Sequence, residues 1–320
     1  MKTAQTILVT GINGFVGPHL ARELHKQGHE VIGLGYGEKP NPEAKAYLKS
    51  YYGCNLTDQD EVMNLELGPI DSVIHLAGLS SPSLSFEAPH EFISDNSAML
   101  IYLFEYFLKQ KGSALPRFVV ISSSTIYDPD QPMPLTEAAK IASTSPYAVS
   151  KLLNENLCSY YRKRGFEYVI ARPFNHTGPG QLPGFIIPDF TMNTLKAGPT
   201  GVVPVGTLTL RRDYSDVRDV VRAYAALATA DTLPHDIYNI ASGQSHTGEE
   251  IFSYIRQAAF GDSATTATKT DPAKVRPYEA PDVSVDISRM ATDFGWKPEI
   301  SLEQTITDYV AWAKEQDFTK

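Results

Sequence analysis

Near its N-terminus the chain carries a short β-rich run, Ile7 to Thr10, directly followed by Gly11-Ile12-Asn13-Gly14-Phe15-Val16-Gly17. This GxxGxxG junction constrains the fold more than any other segment. The first glycine permits a sharp exit from a strand, the second lets backbone amides approach a pyrophosphate, and the third lets a helix pack closely on the sheet. From Phe15 to Lys26, the residues Phe15, Leu20, Ala21 and Leu24 recur at helical spacing. The turn therefore opens a helix whose N–H groups and positive dipole end suit an anion. Pro18 falls in the first turn, where a missing N–H is harmless. A bare glycine pattern is common, but one set between a first strand and a helix predicts a dinucleotide site. The expected contacts are Gly11, Asn13, Gly14, Phe15, Val16 and Gly17.

Strand-length apolar runs continue at Glu30–Leu34, Tyr51–Asn55, Ser72–Leu76, Arg117–Ser122 and Tyr168–Arg172. Helical segments lie between them near Asp58–Leu65, Phe92–Gln110 and Ser145–Arg164. Such alternation implies an α/β fold, a doubly wound parallel sheet of the Rossmann type covered on both faces. After Pro173 the texture becomes rich in Gly and Pro. A helical stretch at Asp216–Thr229, a strand-like Asp236–Ile240 and an amphipathic Leu302–Lys314 remain legible. The expected organisation is a dinucleotide-binding core over 1–172, completed by parts of 215–242. A smaller substrate-binding lobe is expected over 173–214 and 243–300, and a C-terminal helix over 301–320.

At 320 residues with 42% hydrophobic content, the chain can bury a large core. Its net charge of −9, with no block of Lys or Arg, argues against nucleic acid as a partner. An anionic ligand must then be held by a few local arginines. Cys54 and Cys158 form no CxxC pair and have no neighbouring His cluster, so no metal site is expected. No apolar run approaches the ~18–20 residues needed to cross a bilayer. The N-terminus reaches its glycine turn too soon for a signal peptide. A soluble, cytoplasmic protein is expected.

Two further features bear on chemistry. Tyr147-Ala148-Val149-Ser150-Lys151 puts a Tyr and a Lys on one helix face. A nearby ammonium stabilises phenolate, and lowering a Tyr pKa by ~3 units takes ~4 kcal/mol. With 17 Tyr in the chain, about one YxxxK is expected by chance, so position decides. This one opens the helix after a strand ending Ile121-Ser122-Ser123-Ser124-Thr125, where a Ser123 hydroxyl would face the cofactor crevice. The other feature is Gly35, at the end of the second strand, where an acid would bind the ribose 2′-OH of NAD. With no acid there and Lys39 close by, NADP(H) is favoured and NAD(H) is the alternative. Lys39 is equally readable as a solvated loop residue.

These residues resemble the extended short-chain dehydrogenase/reductase superfamily of nucleotide-sugar epimerases, dehydratases and reductases. His75-Leu76-Ala77-Gly78, the Ser-rich strand end, YxxxK and Arg172-Pro173 stand in that family's order. Three segments are similar to the branch that handles GDP-4-dehydro-6-deoxy-D-mannose: Arg172 to Gln181, Arg211 to Val220, and Asp271-Pro272 to Arg276-Pro277. Gly295-Trp296-Lys297-Pro298 closes the chain as that branch does. The resemblance implies cofactor contacts at Leu76, Ala77, Tyr147, Lys151 and Arg172. It implies that Asn175 lies near the substrate diphosphate, and that Arg212 and Arg276 grip phosphate or ribose. Glu279 would accept from a ribose hydroxyl, while Ser80, Ser85 and Ser124 would line the sugar pocket. Loop capping is the competing reading for Ser80 and Ser85.

The 4,6-dehydratases carry Thr-Asp-Glu where this chain has Ser123-Ser124-Thr125, so elimination is not expected. Asp128 and Asn55 also depart from the family pattern, putting local loop shape and adenine contacts in question. The expectation is an NADPH-dependent reductase converting GDP-4-dehydro-6-deoxy-D-mannose to GDP-D-rhamnose, with Ser123, Tyr147 and Lys151 catalytic. A nucleotide-sugar 4-epimerase retaining NAD and a non-catalytic cofactor sensor are the alternatives. A homodimer is expected by analogy.

Overall fold

The computed structural model describes residues 4–110, 114–274 and 282–316. The strands are β1 (Thr6–Thr10), β2 (Glu30–Gly35), β3 (Ser50–Gly53), β4 (Ser72–His75), β5 (Arg117–Ile121) and β6 (Tyr168–Pro173), then β7 (Asn175–Thr177) and β8 (Val202–Val205). They continue with β9 (Arg211–Asp216), β10 (Ile237–Ile240), β11 (Ser245–Thr247), β12 (Ala267–Thr270) and β13 (Asp282–Val283). The helices are α1 (Val16–Lys26), α2 (Pro42–Lys45), α3 (Gln59–Met63), α4 (Pro89–Lys109) and α5 (Pro146–Arg162). After them come α6 (Ile186–Ala197), α7 (Val217–Thr229), α8 (Gly248–Phe260), α9 (Ser288–Phe294) and α10 (Leu302–Glu315).

Seven strands form one sheet in the order β10-β6-β5-β4-β1-β2-β3, with every neighbouring pair parallel. This is the doubly wound Rossmann arrangement expected from the sequence. Its strands read as near-continuous apolar runs because both faces are covered. Alternation splits β1 between two cores: Ile7 and Val9 pack with Leu20, Leu24, Val217 and Tyr224 on one face. Leu8 joins Leu100, Phe104, Phe118 and Tyr161 on the other. Strand order reverses between β1 and β4, so the crevice outside their C-terminal ends is the ligand-binding position of such a sheet.

Beyond β6 the chain builds smaller structures. β9 pairs with β11, β13 and β7, and β8 pairs with β12. Trp296 Nε1 donates to the Asp219 carbonyl at 3.1 Å, and the N–H groups of Glu299 and Ile300 donate to the Asp219 carboxylate at 2.9 Å. That clip anchors the Gly295–Pro298 segment on α7. No helix among the described residues is long and apolar enough to cross a membrane.

The glycine turn is held by close backbone approach. Gly11 has φ +66°, and a Cβ there would meet the Ala77 amide nitrogen at 2.8 Å. A Cβ at Gly17 would lie 2.2 Å from the Ile12 carbonyl oxygen, so α1 sits on the turn with no room for a side chain. Gly17→Ala should cost about 1–3 kcal/mol through this overpacking. The check is a lower urea midpoint at unchanged slope. An unchanged midpoint would mean that α1 is not seated this closely.

Candidate active site

α5 begins with Pro146 in its first turn and Ser145 as cap, the Ser145 hydroxyl accepting from Ala148 N–H. That start places Tyr147 and Lys151 over the C-terminal end of β5, where both side chains are buried. Lys151 Nζ donates to the Ile121 carbonyl at 3.0 Å and lies 5.6 Å from the centre of the Tyr147 ring. Ser123 is buried beside them, its hydroxyl near enough to the Tyr147 phenol to favour the phenol's charged form. The Ser123 hydroxyl also accepts from the N–H and hydroxyl of Thr125, at 3.2 and 3.0 Å. The three residues chosen from sequence are thus brought together.

Their electrostatics differ from the sequence expectation. Burial pushes the Tyr147 hydroxyl up to about 12, opposed only by the neighbouring Ser123 hydroxyl. Burial also lowers Lys151 to about 8. The expected depression of the Tyr147 pKa by Lys151 is therefore corrected: desolvation wins, and the ammonium is directed at the Ile121 carbonyl. Tyr147 is held as a protonated donor.

Sequence reasoning missed Asn96, a buried amide in the N-terminal half of α4. Its Oδ1 accepts from Leu79 N–H at 2.7 Å, and its Nδ2 donates to the Ser150 hydroxyl at 3.0 Å. Ser150 in turn donates to the Tyr147 carbonyl at 2.8 Å. Asn96 thereby ties the loop after β4 to the first turn of α5. A Cβ at Gly78 would meet Asn96 Oδ1 at 3.0 Å and Lys151 Nζ at 3.9 Å, placing that loop against the lysine. In the sequence Asn96 stands within the polar run Ser94-Asp95-Asn96-Ser97, so nothing there marks it as buried.

Arg172 is corrected. It is 2% exposed, and its guanidinium forks onto Glu155, Nε to Oε1 at 2.9 Å and Nη2 to Oε2 at 2.7 Å. Its Nη1 donates to the Tyr127 hydroxyl at 2.9 Å and the Glu137 carbonyl at 3.1 Å. Such a committed fork has no face for a cofactor. Glu155 also accepts from the Ser122 hydroxyl at 2.5 Å, so one carboxylate joins α5, β6 and the end of β5. The residues before and after it in function, Lys151 one turn back and Ser123 next to Ser122, are fixed by this joint.

Asn13 also departs from expectation: its amide hydrogen-bonds the segment after β2 rather than facing the crevice. The turn itself still fits a pyrophosphate. Phe15 gives α1 no side-chain cap, leaving its first N–H groups to another acceptor. Leu76 and Ala77 line the opposite wall, Ala77 N–H donating to the Thr10 hydroxyl at 3.1 Å. Lys39 is exposed at the far end of β2.

Among the substrate candidates, Asn175 donates to the Asp213 carbonyl at 3.2 Å, and β7 and β9 bring it onto the same small sheet as Arg212. Arg212 donates to the Arg211 carbonyl at 2.7 Å. Ser80 is exposed, whereas Ser85 is buried and donates to the Pro82 carbonyl at 2.6 Å, the loop-capping alternative. Ser124 opens a short 3₁₀ turn. Arg276 and Glu279 lie outside the described residues.

The model of the NAD dependent epimerase/dehydratase family matches residues 7–241. The chain belongs to this family. It is 31% identical over 308 residues to GDP-6-deoxy-D-mannose reductase of Pseudomonas aeruginosa, covering 94% of this chain and 95% of that one. The structure of RMD from Pseudomonas aeruginosa complexed with NADPH superposes with TM-score 0.82 at 29% identity, covering 98% of this chain and 100% of that one. UDP-glucose 4-epimerase of Thermus thermophilus, in complex with NAD, superposes with TM-score 0.81 at 26% identity, over 97% and 99% of the two chains.

Glu155→Gln leaves the Arg172 charge buried without its counter-ion. It should cost about 3–5 kcal/mol. Replacing both partners, Glu155→Gln with Arg172→Met, should restore part of that loss in denaturant titrations. A single-variant loss under about 1 kcal/mol would remove the pair from the joint.

Proposed function

We propose that the protein reduces the C4 keto group of a nucleotide-linked 4-dehydro-6-deoxyhexose, GDP-4-dehydro-6-deoxy-D-mannose, to GDP-D-rhamnose at the expense of NADPH. The observation that carries this reading is the trio of Ser123, Tyr147 and Lys151, with Tyr147 kept protonated by burial. A buried, protonated phenol beside a hydroxyl donor suits delivery of a proton to an oxygen gaining negative charge. The nearby carboxylate Glu155 is bound to Arg172 and Ser122, so it is not free to remove a proton for elimination. The likeness to GDP-6-deoxy-D-mannose reductase supports the same chemistry and sugar.

When bound, the reduced nicotinamide supplies the hydride. Ser123 and Tyr147 would both donate to the C4 oxygen, orienting the carbonyl and polarising it. Tyr147 gives up its proton as the oxygen becomes a hydroxyl, with the Lys151 ammonium 5.6 Å from the centre of the ring that then carries the charge. Asn96 holds the loop that borders Lys151. Asn175 and Arg212 would bind the diphosphate side, Arg212 offsetting the acidic charge of the chain. A substrate-binding lobe over 173–214 and 243–300, and a homodimer, belong to the same proposal.

The test uses GDP-4-dehydro-6-deoxymannose and NADPH with the full chain. Tyr147→Phe should lower kcat by at least about a hundredfold while NADPH still binds. Equal turnover by variant and parent would refute the mechanism, and a parent that binds NADPH but turns over no sugar would fit a chain that senses the cofactor without catalysis. The pH profile follows from the two shifts. Lys151, lowered to about 8, carries its charge below that pH and loses it above. Tyr147, near 12, keeps its proton across the range. kcat/KM should therefore be flat on the acid side of about pH 8 and fall on the alkaline side. A profile rising through that pH would contradict the assignment of the lysine.

A further inference from the structure

Asn13 sits inside the glycine turn, yet its side chain serves a different segment. Nδ2 lies 3.0 Å from the Tyr36 carbonyl, 3.3 Å from the Lys39 carbonyl and 3.0 Å from the Tyr51 hydroxyl. Oδ1 accepts from Asn41 N–H at 2.7 Å. Tyr51, on β3, donates to the Gly37 carbonyl at 2.6 Å, with the Gly35 carbonyl 3.2 Å away. One amide and one phenol thus hold the backbone of residues 35–41 from below. The side chains of Tyr36, Glu38 and Lys39 are exposed, Tyr36 by 80%.

The same amide controls position 35. A Cβ on Gly35 would stand 3.1 Å from Asn13 Nδ2, 3.2 Å from Asn13 Cγ and 3.2 Å from an Ile12 methyl. Those contacts are tight, and the Asn13 amide cannot retreat without breaking the bonds that order the loop. An acid at the end of the second strand is what binds an NAD ribose. Here its first carbon fits only if the Asn13 amide or the Ile12 methyl gives by a few tenths of an ångström.

We propose that Asn13 and Tyr51 form a clamp that sets selectivity for NADP(H) over NAD(H). The clamp fixes the loop after β2 in one form, with Tyr36 and Lys39 exposed at the adenosine end. It also crowds position 35, where a carboxylate would take a ribose 2′-hydroxyl. Asn13 is then a positioning residue, and Lys39 is the cation set beside a 2′-phosphate. The inference rests on the reading that the glycine turn holds a nicotinamide dinucleotide.

The test is titration of the full-length parent and variants with NADPH and with NADH, followed by nicotinamide fluorescence. Asn13→Ala and Tyr51→Phe should each raise the Kd for NADPH about tenfold and change that for NADH by less than about threefold. Gly35→Asp alone should weaken both. Adding Asn13→Ala to Gly35→Asp should tighten NADH relative to Gly35→Asp alone, because the new carboxylate gains room. General loosening of the fold would weaken both dinucleotides equally, so an unchanged ratio in Asn13→Ala and Tyr51→Phe overturns the clamp. Gly35→Asp switching to NADH at parental affinity overturns it as well. A parent that binds neither dinucleotide refutes the cofactor reading, and the clamp falls with it.

Discussion

The Arg172–Glu155 pair is the interaction on which the reactive centre depends. Both partners are buried, 2% and 7% exposed, and both ends of the fork are used. A buried pair of this kind adds little net stability over apolar packing, but removing one member is severe. Its consequence here is positional. Glu155 is one turn beyond Lys151 on α5, and it also binds the serine adjacent to Ser123. The strand end that bears the Ser123 hydroxyl and the helix that bears the phenol and ammonium are thereby locked in one geometry. Asn96 and Ser150 fix the other side of the same helix turn.

The cofactor side depends on backbone approach instead of charge. Gly11 and Gly17 let the β1–α1 turn press against Ala77 and Ile12, leaving α1 without a side-chain cap at the crevice. Oriented N–H groups at that point need no lysine or arginine to hold an anion. This is how a chain of net charge −9 can bind a dinucleotide. The burial that builds the site also sets its protonation, raising Tyr147 and lowering Lys151 in the same step.

The parallel sheet was legible because buried strands carry apolar or aromatic runs, such as Phe118–Ile121 and Tyr168–Ala171, between helical segments. α6 and α8 stand out less in the sequence, although α8 opens on a capping box, Thr247 with Glu250. Proline at position 188 and the Gly-rich flanks obscured α6. Within the candidate site, which residues converge was readable and the direction of their side chains was not. Ser123, Tyr147 and Lys151 converge because a strand end and a helix start face one crevice. Arg172 and Asn13 occupy family positions too, but their side chains answer partners distant in sequence, Tyr127 and Glu137 for one and Tyr51 for the other. Motif spacing carries no information about such partners.

The central claim is net hydride transfer to the sugar. NADPH carrying deuterium in place of the transferred hydrogen, mixed with GDP-4-dehydro-6-deoxymannose and the enzyme, tests it most directly. The account predicts one NADPH oxidised per sugar consumed, with one deuterium at C4 of the product. Sugar turnover without net NADPH oxidation, or product without deuterium at C4, would contradict it and point to an epimerase that returns its hydride.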